Sequence, residues 1–235
     1  MKLAIMQPYF FPYIGYFQLI RCVDKFVVYD DVNYIKKGWI NRNRILINGA
    51  PSLITIPVKN ASQNRMINET ELTNDRNWIP KFLKTLEQAY KKAPFFPTVF
   101  PNIEAMLQAE YANIAELNLA TIQFVCRYLD LQTTLVPGSA NYANKHLKAQ
   151  HRILDICLQE SATTYINPIG GMELYDHTLF EQHQVTLYFI KPTPTPYRQF
   201  ENEFQANLSM LDCLMFLEKT ELVAKLKDFQ LISNK

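Results

Sequence analysis

Residues 133–189, TTLVPGSANYANKHLKAQHRILDICLQESATTYINPIGGMELYDHTLFEQHQVTLYF, decide the fold class. Three short strand-like runs, 133–136, 163–166 and 185–189, are separated by two stretches with helical spacing. In the first stretch, 146–160, Leu147, Ile153, Leu154 and Leu158 face inward; the second covers 172–183. Strand–helix–strand–helix–strand predicts right-handed crossover units on a parallel sheet, since a parallel pair needs a connection long enough to hold a helix. Working outward toward the N-terminus, 2–6 and 26–29 read as two more strands with an amphipathic helix between them. Runs at 44–47 and 53–58 flank Asn48-Gly49, a pair that tolerates the positive φ of a tight hairpin turn. Helices are expected over 78–92, 103–110 and 114–129, with 60–77 a loop and the proline-rich 94–101 a rigid connector. Past 189, an extended stretch at 192–196 precedes two short helices, 209–217 and 222–229. The expectation is α/β: a Rossmann-like, mostly parallel sheet with an inserted helical region at about 76–131 and a β-hairpin, all 235 residues forming a single α/β domain.

Composition narrows the function classes. With 48% apolar and 20% charged residues the chain is an ordinary globular sequence. A formal charge of +2 argues against nucleic acid as a partner. No apolar run approaches the roughly 18 residues of a membrane span, so no span and a cytoplasmic location are expected. Cys22, Cys126, Cys157 and Cys213 are scattered without CxxC spacing and read as buried free thiols. His146 and His151 are five apart, off the spacing of a same-face zinc pair, and no metal set is expected. Neither a P-loop nor a Gly-x-Gly-x-x-Gly fingerprint is present, which leaves any cofactor unknown.

Chemistry-bearing residues concentrate at the N-terminal end. Strand 26–29 runs into Asp30-Asp31, and in an open α/β sheet ligands bind beyond the carboxyl ends of strands. Either carboxylate there can act as a base or bind Mg²⁺, or can instead cap a turn. The segment 36–44, KKGWINRNR, combines cations, an indole and amides. Lys36 and Arg42 would hold an anion, and Trp39 would stack on a ring; a polar surface strand gives the same pattern. Tyr13-Ile14-Gly15-Tyr16 sits where nucleotidyltransferases of Rossmann-like fold carry His-x-Gly-His, with tyrosines in both histidine positions. Gly170-Gly171 could cradle an anion through backbone N–H groups or serve a turn needing positive φ.

Three N-terminal clusters then resemble the WbqC-like family: Gln7-Pro8 through Pro12, Gly15, Tyr16 and Phe17; Asp24 through Asp30-Asp31-Val32; and Lys36 through Trp39, Asn41, Arg42 and Asn43. The looser C-terminal likeness lies in YINPIGGMELY (165–175) and in Leu208-Ser209-x-Leu211-Asp212. The family is named for members in bacterial O-antigen gene clusters, and the resemblance implies a role in surface-polysaccharide biosynthesis. Together the two lines nominate Asp30, Asp31 and Lys36 as catalytic and Gln7, Pro12, Gly15, Tyr16, Trp39, Asn41 and Arg42 as substrate-binding. A transferase acting on a small anionic or sugar-nucleotide ligand is the first expectation; a non-catalytic binding or scaffold protein in a biosynthetic complex is the second.

Overall fold

Leu3, Ala4 and Ile5 alternate between two buried layers, and that alternation organises the molecule. The computed structural model describes residues 1–201 and 203–233. Its first strand, β1 (Lys2–Met6), pairs in parallel with β2 (Lys25–Val28) on one side and β6 (Thr164–Pro168) on the other. β5 (Thr134–Val136) extends the sheet beyond β2, and β7 (Thr186–Pro192) extends it beyond β6. An antiparallel strand, β8 (Phe229–Ile232), closes that edge. The order β5-β2-β1-β6-β7-β8 is the doubly wound arrangement in which the chain reverses direction across the sheet at its first strand. The hairpin β3 (Arg42–Ile47) and β4 (Ala50–Thr55) forms a separate two-stranded sheet. Its turn has Asn48 at φ 50° and Gly49 at φ 78°, as the dipeptide requires.

Crossovers cover both faces. α1 (Ile14–Arg21) and α4 (Ile114–Tyr128) pack with Ala4, Phe26 and Val28, together with α2 (Trp78–Tyr90) and α3 (Phe96–Gln108). α5 (Ala149–Gln159) and α6 (His177–Gln182) pack on the other face against Leu3, Ile5, Val27, Leu187 and Phe189. α7 (Met210–Phe216) and α8 (Lys219–Lys225) return to the α1 side. One buried cluster thus joins the sheet, the inserted helices and the hairpin residues Ile45, Leu46 and Ile54. Among the described residues no helix is long and apolar enough to cross a membrane. All four cysteines are free thiols.

Three expectations need correction. α3 begins at Phe96, inside the supposed connector, because Pro97 lies in the first turn where no backbone N–H is required. Pro101 forgoes one helical hydrogen bond, outweighed by Val99, Ile103 and Leu107 entering the core on one face. The stretch 172–183 is broken: a 3₁₀ segment, Ile169–Leu174, precedes the short α6. Finally, Phe229–Ile232 form a strand, β8, where a helix over 222–229 was expected. α8 stops at Lys225, and β8 adds its strand to the open edge of β7.

Candidate functional site

The chain leaves β1 into α1 on one face of the sheet and leaves β6 toward α6 on the other, so a crevice of ≈ 480 Å³ opens between the carboxyl ends of these two strands. Met6 and Gln7 enter it from β1, Tyr29 from just beyond β2, Asn167 from the end of β6, Gln150 from the first turn of α5, and Tyr175 from the segment before α6. Most polar groups here are committed. Asn167 Oδ1 accepts from the Tyr165 hydroxyl at 3.1 Å, and Gln150 Oε1 accepts from the Asp176 backbone N–H at 2.6 Å. Burial raises the phenols of Tyr29 and Tyr175, the latter to about 12, so both are neutral hydroxyls at physiological pH. Gln7 is uncommitted. Its side chain makes no hydrogen bond among the described residues, and its Oε1 is buried without a partner. No side chain caps α5 at Lys148, so the first-turn N–H groups and the positive end of the helix dipole remain available beside the crevice.

Behind Tyr29 lies a charge network. Asp31 is 2% exposed, and Arg152 Nη2 sits 2.7 Å from both of its carboxylate oxygens. Nη1 donates to the Asp31 carbonyl at 3.3 Å, and Nε to Asn144 Oδ1 at 2.9 Å. The Arg152 guanidinium lies 4.9 Å from the centre of the Tyr29 ring. Ser139 Oγ donates to Asp31, and Lys145 Nζ stands 3.8 Å from the same carboxylate. Asp30 accepts from the Ser139 N–H at 2.9 Å. The two aspartates therefore lock the loop after β5 and the start of α5 onto the end of β2.

A second cavity, ≈ 330 Å³, lies on the far side of the loop that follows β1, and Tyr9 lines both. Pro12, Tyr13, Trp39 and Arg44 form its other walls. The nominated residues thus divide. Gln7 borders the crevice; Pro12 and Trp39 border the second cavity. Tyr16, Asp30, Asp31, Asn41 and Arg42 line neither. Tyr16 is buried and donates to the Gln7 carbonyl at 3.0 Å, so its hydroxyl is spent fixing the loop. Asn41 accepts from Tyr34 at 2.6 Å and donates to the Ile56 carbonyl at 2.8 Å, tying the hairpin down. Arg42 Nε donates to the Gly38 carbonyl at 3.2 Å. Lys36 is exposed. Gly15 makes room for Tyr13: a Cβ there would come within 2.6 Å of Tyr13 Cζ. That ring sits over the start of α1, where a dinucleotide fold would place its pyrophosphate. Gly170 and Gly171 are not at positive φ; a Cβ at Gly171 would collide with Asn167 Nδ2 and push that side chain aside.

Arg152, Lys145, Ser139 and Arg44 were not singled out from sequence. One signal existed: Arg152 and Ile156 are four apart on the buried stripe of α5, and a cation there requires a buried acceptor. Among the described residues no group of three or more His, Cys, Asp or Glu side chains is placed to hold a metal.

Fold and crevice define a class, the doubly wound α/β proteins with an opening at the strand-order switch point. Within it, the chain belongs to the WbqC-like protein family, whose model matches residues 7–223. It is 31% identical over 216 residues to an uncharacterized protein of Mycobacterium tuberculosis, Rv1507c, covering 91% of this chain and 92% of that protein. No solved structure matches it significantly.

Proposed function

We propose that this chain is a transferase that binds a nucleotide-activated or otherwise anionic sugar-type substrate in the switch-point crevice, within the bacterial surface-polysaccharide setting that the family resemblance implies. The observation that carries the reading is the uncommitted amide of Gln7, held in the crevice where doubly wound sheets bind ligands. A buried amide oxygen without a partner costs about 1–3 kcal/mol, a cost that a substrate hydroxyl or ring N–H would remove. The phosphate would meet the uncapped first turn of α5, with Lys145 and Lys148 nearby in the chain. Tyr29 and Tyr175 would form the walls. Asp31 acts through Arg152 and Lys145 as a positioning residue.

A binding protein without turnover is the second reading, favoured by the same network. Both carboxylates nominated as base already accept hydrogen bonds within the protein.

Thermal unfolding with UDP-glucose, GDP-mannose and UDP, with and without Mg²⁺, tests the proposal. A ligand at 100 times its Kd should stabilise the fold by about 2.7 kcal/mol. Gln7→Leu should remove most of that shift while keeping or raising the unliganded midpoint, because the orphaned oxygen disappears. No shift with any nucleotide sugar sinks the proposal. Binding without sugar transfer or nucleotide release selects the second reading.

A further inference from the structure

We propose that the second cavity is a distinct binding pocket for a hydroxyl-rich ring bearing one acidic substituent, a sugar acid or sugar phosphate. As a pocket it stands whatever the crevice binds. Its charge is the first argument. Arg44 is half-buried, and among the described residues it makes no ion pair and no acidic residue lines the cavity. Its Nε is buried without an acceptor, and Nη2 makes one long contact, 3.4 Å, to the Asn207 carbonyl. An Arg held in an aromatic cleft with donors to spare matches the planar, multiply accepting face of a carboxylate or phosphate.

The walls are the second argument. Arg44 lies 5.5 Å from the centre of the Trp39 ring, which fixes one side of the indole, while Trp39 remains 44% exposed. An exposed indole beside a half-buried cation is a stacking surface for the apolar face of a ring. Tyr9 and Tyr13 line the same cavity, and neither hydroxyl has a hydrogen-bond partner among the described residues. Burial raises both phenols, so each is a neutral hydroxyl able to donate or accept. Aromatic faces, free phenolic hydroxyls and one unpaired guanidinium together call for a ligand with apolar faces, peripheral hydroxyls and a single negative group. At ≈ 330 Å³ the cavity holds one such ring rather than a chain.

The loop architecture supports a built pocket rather than an accidental gap. Asn43 Nδ2 donates to the Phe10 and Phe11 carbonyls at 2.9 and 2.6 Å, and Asn118 Nδ2 donates to those of Pro8 and Ile40 at 2.9 and 2.7 Å. These amides clamp the loop carrying Tyr9 and Tyr13 to the segment carrying Trp39 and Arg44. Since Tyr9 also lines the crevice, ligands in the two cavities would meet the same side chain.

The chain has two tryptophans, Trp39 and Trp78, so a Trp78→Phe protein leaves Trp39 as the only indole. Its fluorescence is titrated with glucuronate, glucose 6-phosphate, glucose, AMP and inorganic phosphate, and calorimetry repeats each titration. The expected result is a saturable change with glucuronate or glucose 6-phosphate, at least about tenfold weaker with glucose, and lost in Arg44→Gln. Arg44→Lys keeps the charge and controls for misfolding; it should retain weakened binding. No saturable response to glucuronate or to glucose 6-phosphate up to about 10 mM overturns the pocket. Equal binding of inorganic phosphate overturns the ring, and tighter binding of AMP replaces the sugar with a nucleotide. A thermal shift with UDP-glucose beside a silent Trp39 would leave the crevice standing and this pocket refuted; the reverse would separate them the other way.

Discussion

Arg152 Nη2 is 2.7 Å from both oxygens of the Asp31 carboxylate, although the two residues stand 121 positions apart in the chain. Both side chains are buried, at 6% and 0% exposure, so neither charge is hydrated. Breaking such a pair from one side leaves the other charge stranded, at about 3–5 kcal/mol. Arg152→Met is therefore expected to lose that much in urea unfolding. Adding Asp31→Asn to it should recover a large part of the loss, because both buried charges are then gone and the half-exposed Lys145 stays hydrated. A double variant as unstable as the sum of the two single ones would show that the pair is not the coupled unit described here.

A second buried acid makes a pH-dependent expectation. Asp212 accepts from the hydroxyls of Tyr90 and Tyr197, at 2.9 and 2.6 Å, and from Gln199 Nε2 at 2.6 Å. Burial pushes its carboxyl above the usual 3.8, and these three donors oppose but do not cancel that effect. A carboxyl with a raised native pKa holds more protons folded than unfolded at pH values between the two. Its contribution to stability is therefore lost as pH rises across that window. Measured against Asp212→Asn, the wild type should lose stability with rising pH from about pH 4 upward and level off once the native carboxyl has ionised. A difference that stays flat, or grows in favour of the wild type, contradicts the shift.

How much of this was legible depends on whether the deciding force was local. Asn48-Gly49 fixed a hairpin from two residues, because positive φ is a local demand. β1, β2, β6 and β7 showed as short apolar runs for the same reason, since burial on both faces leaves little polar alternation. Strand β8 did not show: none of its side chains is buried, and it is a strand because β7 offers an open edge. At the site, Asp30-Asp31 were visible as an unusual pair, but their partners Ser139 and Arg152 lie more than 100 residues away. Whether an aspartate ends a strand as a base or as an anchor is set by those partners. Arg42 and Arg44 are two apart on one strand and share a face, so spacing alone could not say which joins Trp39.

The Gly15–Tyr13 contact has a sign that can be reversed. A Cβ at position 15 would press on the Tyr13 ring, so Gly15→Ala is expected to cost about 1–2 kcal/mol despite the better helix propensity of alanine. In a Tyr13→Ala background the obstruction is gone, and the same substitution should be neutral or stabilising by up to about 1 kcal/mol. The cycle is read by urea unfolding of the four proteins. Equal effects in both backgrounds would mean that glycine is needed there for some reason other than the tyrosine.

Gly171 offers a cleaner handle on the crevice, because its backbone is not at positive φ and a Cβ there would collide with the Asn167 amide. Gly170, its neighbour, has nothing within 4 Å of a Cβ. Gly170→Ala should therefore leave the unfolding midpoint unchanged, while Gly171→Ala must turn Asn167 away from the Tyr165 hydroxyl it accepts from at 3.1 Å. A lost neutral hydrogen bond is worth about 0.5–1.5 kcal/mol, which is the destabilisation expected. Asn167 lines the crevice, so the displaced amide should also weaken binding of a nucleotide sugar, by about tenfold if it contacts the ligand. Introducing Asn167→Ala first should abolish both effects of Gly171→Ala. If Gly171→Ala lowers stability without touching affinity, Asn167 shapes the wall of the crevice and takes no part in holding what binds there.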